Sequence, residues 1–266
     1  MRITGAESLR GAVALVTGGS SGIGAAVSRS LAAAGTRVVL GDVDETRGKE
    51  VAAEVGGVFV GCDVRDPDAS VRAVGAAEEA FGRLDIAFLN AGVASHDRVP
   101  IEEIRGEEYR RLVAINVDGV FYGMQAVVPA LRRSGGGAVV ATASLAGLVP
   151  TPNDPVYALT KHAVVGLVRS VAETVAEAGI TVNALCPGFT DTPILGAAVG
   201  VFRDADFPLL TAEDVAAVVV RIVTGGGTGQ AWPVQPGRES EPYRFRGVPG
   251  PRAAGHEGQA PPTGVT

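Results

Sequence analysis

Seven short runs of apolar, mostly β-branched residues punctuate the chain. Between them lie longer stretches in which apolar residues recur at helical spacing. The runs are AVALVT (12–17), RVVLG (37–41), GVFVG (57–61), DIAFLN (85–90), AVVATAS (138–144), ITVNALC (180–186) and GQAWPVQ (229–235). The first six are apolar almost throughout, the pattern of parallel strands covered on both faces. The helical period runs through 22–34, 44–55, 67–81, 107–133, 155–178 and 211–223. This alternation predicts the α/β class: one doubly wound domain with a mostly parallel sheet of about seven strands, flanked by helices on both faces.

Local signals set the boundaries. Asp66-Pro67 places a capping residue ahead of a proline at the first helical position. Gly35 and Gly179 stand where C-terminal caps belong, and Thr211 followed by Glu213-Asp214 marks a helix start with acids in its first turn. Pro233 cannot donate to a central ladder, so the last strand belongs at a sheet edge. From Arg238 the periodicity stops. The chain therefore divides into a domain over 1–237 and a Pro- and Gly-rich tail over 238–266, read as irregular or disordered. Tyr243 and Phe245 would dock the first part of that tail on the body or on a neighbouring subunit.

Composition narrows the classes. A chain of 266 residues, 46% apolar and 20% charged, suits one large globular domain or two small ones. A net charge of −6 with the signs mixed along the chain argues against nucleic acid and anionic membrane as partners. Cys62 and Cys186 are too few for a disulfide framework and read as small buried side chains. The N-terminus has no apolar core of signal-peptide length, and no later run approaches the ~20 apolar residues of a membrane span. A cytoplasmic location is the expectation.

The first candidate chemistry is TGGSSGIG at 17–24, which follows the first strand and opens the first helix. In that setting Gly18 makes a tight turn, Gly22 lets the backbone approach a pyrophosphate, and Gly24 lets helix and sheet pack closely. The helix N-terminus adds N–H groups and partial positive charge for the phosphates. The spacing is not the usual dinucleotide fingerprint, and a flexible loop with coincidental glycines is the competing reading; the strand before and helix after favour the nucleotide. Asp42 ends the second strand. A carboxylate there accepts from a ribose 2′-OH and repels a 2′-phosphate, and no Arg or Lys lies between positions 38 and 46, so NAD is expected over NADP. Asp44 is better placed to cap the next helix.

Tyr157 and Lys161 stand four residues apart in a helical stretch and share a face. On spacing alone they are either ordinary side chains of an amphipathic helix or an acid–base pair. A free phenol has a pKa near ~10, which a neighbouring ammonium lowers toward a useful range. Ser144, closing the fifth strand run, either caps the turn that follows or hydrogen-bonds a substrate oxygen as its charge develops. His96 and His162 lack partners at metal-ligand spacing, so no metal is expected; His96 stays a candidate substrate contact.

Taken in order, TGGSSGIG, Asp42, CDV (62–64), NAG (90–92), INVDG (115–119), Ser144, YALTK (157–161) and PGFTDTP (187–193) resemble the short-chain dehydrogenases/reductases in their single-domain, Rossmann-type form. The resemblance covers Thr17 to about Gly237. It implies an NAD-dependent oxidoreductase that interconverts a secondary alcohol and a ketone. By position, Tyr157 would be the general acid–base, and Lys161 would lower its pKa and hold the nicotinamide ribose. Ser144 would steady the substrate oxygen, and Asn116 would hold a water linking Lys161 to solvent. Cofactor contacts would come from Gly18, Ser20, Ser21, Gly22, Ile23, Asp42, Val43, Asp63, Val64, Asn90, Ala91, Gly92, Tyr157, Lys161, Pro187, Gly188, Thr190 and Thr192. Among them Asp63 and Val64 would meet the adenine, and Asn90 would brace the central strands.

The resemblance also implies a dimer or tetramer through helices 107–133 and 155–178, although WPVQPGRESEPYRF replaces the glycine-containing interface segment that often ends such chains. Between Thr192 and Thr211, Ile194, Leu195, Val199, Phe202, Phe207 and Leu209 would form a short apolar lid over a small, apolar alcohol or ketone, or else pack on the body. Two other functions compete. One is an NADP-linked ketoreductase acting on 3-oxoacyl thioesters. The other is a non-catalytic NAD-binding scaffold or sensor, against which the intact Ser, Tyr, Lys and Asn set argues.

Overall fold

Alternate residues of the first strand, β1 (Val13–Thr17), leave it on opposite sides. Val13 and Leu15 enter one buried cluster, Ala14 and Val16 the other. A strand covered on both faces has no polar face to show, which is why the run is apolar throughout. The computed structural model describes residues 3–96, 99–196, 198–247 and 249–255. With β2 (Arg37–Asp42), β3 (Val58–Gly61), β4 (Ile86–Leu89), β5 (Gly137–Thr142), β6 (Ile180–Pro187) and β7 (Ala231–Val234), β1 forms one seven-stranded sheet in the order β3-β2-β1-β4-β5-β6-β7. Every pairing is parallel. The order reverses between β1 and β4, so the crevice that such sheets open at their strand C-termini lies there.

Helices α1 (Gly22–Ala33), α2 (Glu45–Val55) and α8 (Ala212–Gly225) cover one face; α3 (Pro67–Phe81), α5 (Gly119–Arg133) and α6 (Pro155–Val175) cover the other. The caps lie where the residues indicate. Asp44 and Asp66 accept from the first turns of α2 and α3, and Thr211 with Asp214 forms a reciprocal capping box on α8. Two predicted helices are less regular than their period suggests. The 107–133 stretch is α4 (Gly106–Val113) and α5 joined by a π turn at Ala114–Asp118, and 155–178 tightens to a 3-10 turn at Ala176–Ala178 before the left-handed Gly179.

One expectation needs amending. Among the described residues, Gly106–Arg133 is long and apolar enough to cross a membrane by length and composition. Its apolar side packs on α3, β4, β5 and α6, which accounts for that composition as a core helix.

β7 is an edge strand, as Pro233 indicates. The start of the tail folds back over it. Ser240 Oγ donates to the Pro233 carbonyl at 2.7 Å, and the Tyr243 N–H donates to the Ala231 carbonyl at 2.7 Å. Arg221 of α8 reaches the Ser240 carbonyl and Glu239, and the Arg169 guanidinium lies 3.9 Å from the centre of the Phe245 ring. Tyr243 and Phe245 thus dock on their own body. Described residues of the tail form no helix or strand; residues 248 and 256–266 lie outside the described residues.

A chain ending at Gly237 is expected to melt several degrees lower and to associate with rising concentration, because an uncovered strand edge is a pairing template. Calorimetry and sedimentation velocity read both effects, and an unchanged melting point in a monodisperse chain would contradict this role for the tail.

Candidate active site

The glycine turn closes over β1 by contacts no larger residue would permit. A Cβ on Gly24 would lie 2.0 Å from the Gly18 carbonyl oxygen, and Gly18 itself has φ +64° with Ala91 directly behind it. The turn therefore hugs the sheet and delivers α1 with its first N–H groups toward the crevice; Ser21, at its N-cap, makes no side-chain capping bond. Ser20, Ser21, Gly22 and Ile23 line this cradle, and Thr192 sits over it, 3.2 Å from where a Gly22 Cβ would be. The donor set and the close backbone approach fit a pyrophosphate-bearing dinucleotide.

Asp42 ends β2 in a fixed pose. One carboxylate oxygen accepts from the Ser20 N–H at 2.9 Å and the Ser20 hydroxyl at 2.6 Å, and the other accepts from the Asp44 N–H at 3.1 Å. Beside it Val43 is 72% exposed, an apolar surface at the rim of the cradle. Asp63 and Val64 fare differently from each other. The Asp63 carboxylate grips Arg65, which holds it below the usual carboxylate range, whereas the Val64 side chain is buried under Gly119, leaving only its backbone to face the crevice.

Asn90 ties the strand ends together. Its N–H and that of Ala91 donate to Thr17 Oγ1, its Nδ2 donates to the Gly18 carbonyl at 3.3 Å, and its Oδ1 accepts from Thr142 at 3.1 Å. Beyond it, Gly92 lies close to Asn116 and Lys161. Asn116 occupies the π turn and is fully buried; its side chain accepts from the Val93 N–H and donates to the Val93 carbonyl and to Thr160. A π turn is where a helix widens to aim a side chain. Pro187 ends β6 beside Ser144, with a 3.5 Å contact from the Ser144 hydroxyl to its carbonyl; Gly188 and Thr190 follow in the same crossing.

Ser144, Tyr157 and Lys161 converge at these strand ends. Ser144 takes the first of its expected roles, accepting from the Ala146 N–H to cap the turn, and its hydroxyl also hydrogen-bonds Tyr157. The Lys161 ammonium donates to the Thr142 carbonyl at 3.0 Å and lies 5.5 Å from the centre of the Tyr157 ring. Their acidities move unlike the simple pair picture. Burial pushes the Tyr157 phenol up to about 12, Ser144 pulls it down and the Asp154 carboxylate pushes it up further. Burial also pushes Lys161 down to about 8. The desolvation that lowers Lys161 leaves its ammonium held by the Thr142 carbonyl.

The segment between Thr190 and Leu210 is apolar, with Ile194 and Phe207 exposed and Leu195, Val199, Phe202 and Leu209 half-buried. It leaves and returns through a bridge between Thr190 and Leu210 and carries a 3-10 turn (Pro193–Leu195) and α7 (Ala198–Asp204). Phe189 and Phe202 stack with centres 4.4 Å apart, Phe207 completes the cluster, and Ile194 and Phe207 are 44% and 48% exposed. Arg203 pairs with Asp191 across its base. Phe189 lies in the PGFTDTP run, where the motif alone gives its side chain no role. His96 is turned to Glu108, which its backbone N–H and Arg111 hold at about 2, and His162 meets the Ala158 carbonyl. Among the described residues no group of His, Cys, Asp or Glu could hold a metal.

Comparison with known proteins gives a consistent neighbourhood. The family described as short chain dehydrogenase matches residues 12–199. A 2,5-dichloro-2,5-cyclohexadiene-1,4-diol dehydrogenase of Sphingobium indicum is 38% identical over 194 residues, 71% of this chain and 77% of that one. A cyclohexanol dehydrogenase of an Acinetobacter species is 38% identical over 188 residues, 69% of this chain and 74% of that one. The crystal structure of a Brucella melitensis 3-ketoacyl-(acyl-carrier-protein) reductase complexed with NADH superposes with a TM-score of 0.81 at 33% identity, covering 86% of this chain and 99% of that one.

The buried lysine has a measurable signature. Between its folded value of about 8 and the ordinary 10.5, the unfolded chain binds more protons than the folded one, so folding stability rises with pH across that window. Denaturant titrations from pH 8 to 10 should show the wild type gaining on Lys161→Met, on the order of 2–3 kcal/mol over the full window. A constant difference would mean the ammonium is solvated.

Proposed function

This chain belongs to the short-chain dehydrogenase family, and we propose that within it the protein is an NAD-dependent dehydrogenase of an apolar, alicyclic secondary alcohol. Oxidoreduction of alcohols and ketones with a nicotinamide cofactor is the family's activity. The observation that carries the particular reading is the convergence of Ser144 and Lys161 on Tyr157 where β5 and β6 end, beside the dinucleotide cradle.

The turn at 17–24 and Lys161 would hold the oxidised nicotinamide cofactor, which would supply the hydride acceptor for the carbinol carbon. The protein's part is to handle the proton. The Tyr157 oxygen takes it from the substrate hydroxyl during oxidation and returns it during reduction. Ser144 donates to the substrate oxygen and fixes its distance from the phenol. Lys161 would hold the nicotinamide ribose and offers positive charge to the phenolate, and the Asn116 turn keeps Lys161 and the 93–95 loop in register. Since burial holds the phenol well above its usual value, oxidation is expected to accelerate as pH rises through the alkaline range.

Asp42 supports NAD. Its carboxylate is locked by Ser20 and Asp44 and aims a negative charge at the ribose position, where a 2′-phosphate would be repelled. Six-membered-ring alcohols are the substrates named for the cyclohexanol and dichlorocyclohexadienediol dehydrogenases, and the Phe189, Phe202 and Phe207 cluster supplies apolar surface for such a ring. The half-exposed Tyr109, Phe121 and Leu159 on α4, α5 and α6 support a homo-oligomer formed through those helices. Two free, buried cysteines suit a reducing cytoplasm.

Tyr157→Phe is expected to lower kcat by about 10²- to 10⁴-fold while leaving the NAD dissociation constant unchanged; steady-state assays with cyclohexanol, paired with calorimetric NAD binding, check both halves. Asp42→Ala should weaken NADH binding about tenfold and bring NADPH level with it. A wild-type protein that binds NADPH more tightly than NADH would reject the assignment of Asp42. No turnover of any alcohol or ketone despite tight NAD binding would favour a scaffold.

A further inference from the structure

At the mouth of α6 lies a charged group that the reaction as described does not use. Asp154 is 8% exposed and caps the helix: its Oδ1 accepts from the Tyr157 N–H at 3.1 Å. The same oxygen accepts from the Ser95 hydroxyl at 2.6 Å, a bond across 59 residues to the loop that follows β4. A pocket of about 90 Å³ opens beside this junction, lined by Ser95, Glu103, Arg105, Glu108, Asn153 and Asp154 among others.

Capping alone does not explain the carboxylate. Asn and Ser cap equally well without carrying a charge, and among the described residues Asp154 has no ion-pair partner. A charge kept out of water and unpaired is costly unless it does something else. What it holds, through the backbone N–H, is the residue that handles the proton.

We infer that Asp154 is a positioning residue which holds Tyr157 in its protonated form and, through Ser95, couples that bias to the loop flanking the substrate. A negative charge at the first turn opposes phenolate formation, so it favours the proton-donating state needed for ketone reduction over the proton-accepting state needed for alcohol oxidation. The direction of the Asp154 influence on the phenol agrees. The Ser95 hydroxyl withdraws charge from the shared oxygen and moderates the effect. Among the described residues the other groups around Tyr157 do not duplicate it. Lys161 on α6 has the opposite sign, Ser144 is neutral, and Cys186 on β6 has its thiol pushed up to about 12 and stays uncharged. On the loop and α4, His96, Glu108 and Arg111 are engaged with one another, while Arg105 and Glu103 lie farther along the pocket with opposite charges.

This inference rests on Tyr157 being the acid–base, and the test separates the two. The kcat/KM of alcohol oxidation is measured against pH with NAD for wild type, Asp154→Asn, Ser95→Ala and Tyr157→Phe. Asp154→Asn keeps the cap and removes the charge, so its profile should move to lower pH by about half a unit to one unit. Ser95→Ala strips the moderating hydrogen bond, so its profile should move the opposite way, to higher pH. Ultraviolet titration of the Tyr157 phenol, taken as the difference from Tyr157→Phe, should follow the same two directions without turnover. Shifts of opposite sign support the inference. A uniform loss of rate with the profiles in place, or shifts of the same sign, would overturn it as a purely structural cap. If Asp154→Asn does not fold, the sign of the Ser95→Ala shift decides. Near-normal activity in Tyr157→Phe would instead defeat the reading of Tyr157 itself.

Discussion

A lysine ammonium with 3% of its surface exposed donates to the carbonyl of Thr142, at the end of the fifth strand, and most of the site follows from making that burial tolerable. An ionised amine in the interior needs polar partners held in place, because a single lost donor–acceptor pair leaves a desolvated charge. β5 supplies the carbonyl. Gly92 permits the approach because any side chain there would crowd Asn116 and Lys161. The π turn at Ala114–Asp118 turns Asn116 inward to bind both backbone groups of Val93, so the loop beside the ammonium cannot drift. Tyr157 sits one helical turn earlier on the same face, its ring centre 5.5 Å from that ammonium.

The sheet makes this arrangement rigid. Both faces of the central strands are covered, so their C-terminal ends are fixed by packing on two sides, and Asn90 knits three of them together above the core. Reactive groups therefore come from strand ends and helix starts, while variable surface is left to the segment between Thr190 and Leu210. That segment is clamped at its neck by the Thr190–Leu210 bridge and carries its phenylalanine cluster beyond it. At the far edge, the tail satisfies β7 from within the chain through Ser240 and Tyr243.

Much of this was legible in the residues. Apolar runs located all seven strands, the central ones because two-sided burial leaves no other composition, and the caps at Asp44, Asp66 and Thr211 lie where their side chains can reach free N–H groups. The π turn was not legible: Ala114–Asp118 contains no glycine or proline, and its register depends on Asn116 finding Val93, a contact across 23 residues. The two aromatic residues of the tail suggested that it docks, but its Pro- and Gly-rich composition did not say that Arg169 and β7 are what they and their neighbours meet. The balance of acidities at Tyr157 was also out of reach, since spacing shows that Lys161 is near but not how deeply both groups are buried. The Asp154-Pro155 pair did carry a signal, the same one that marks Asp66-Pro67 as a helix start.

The central claim is that hydride leaves an alicyclic carbinol carbon for a bound nicotinamide while Tyr157 takes the proton. Single-turnover oxidation of cyclohexanol carrying deuterium at the carbinol carbon, with NAD and followed by absorbance and mass spectrometry, tests it most directly. The account predicts that the label appears in the reduced cofactor, with a slower transient than for unlabelled alcohol. Reduced cofactor without the label, or none formed from this or any other secondary alcohol by a protein saturated with NAD, would contradict it.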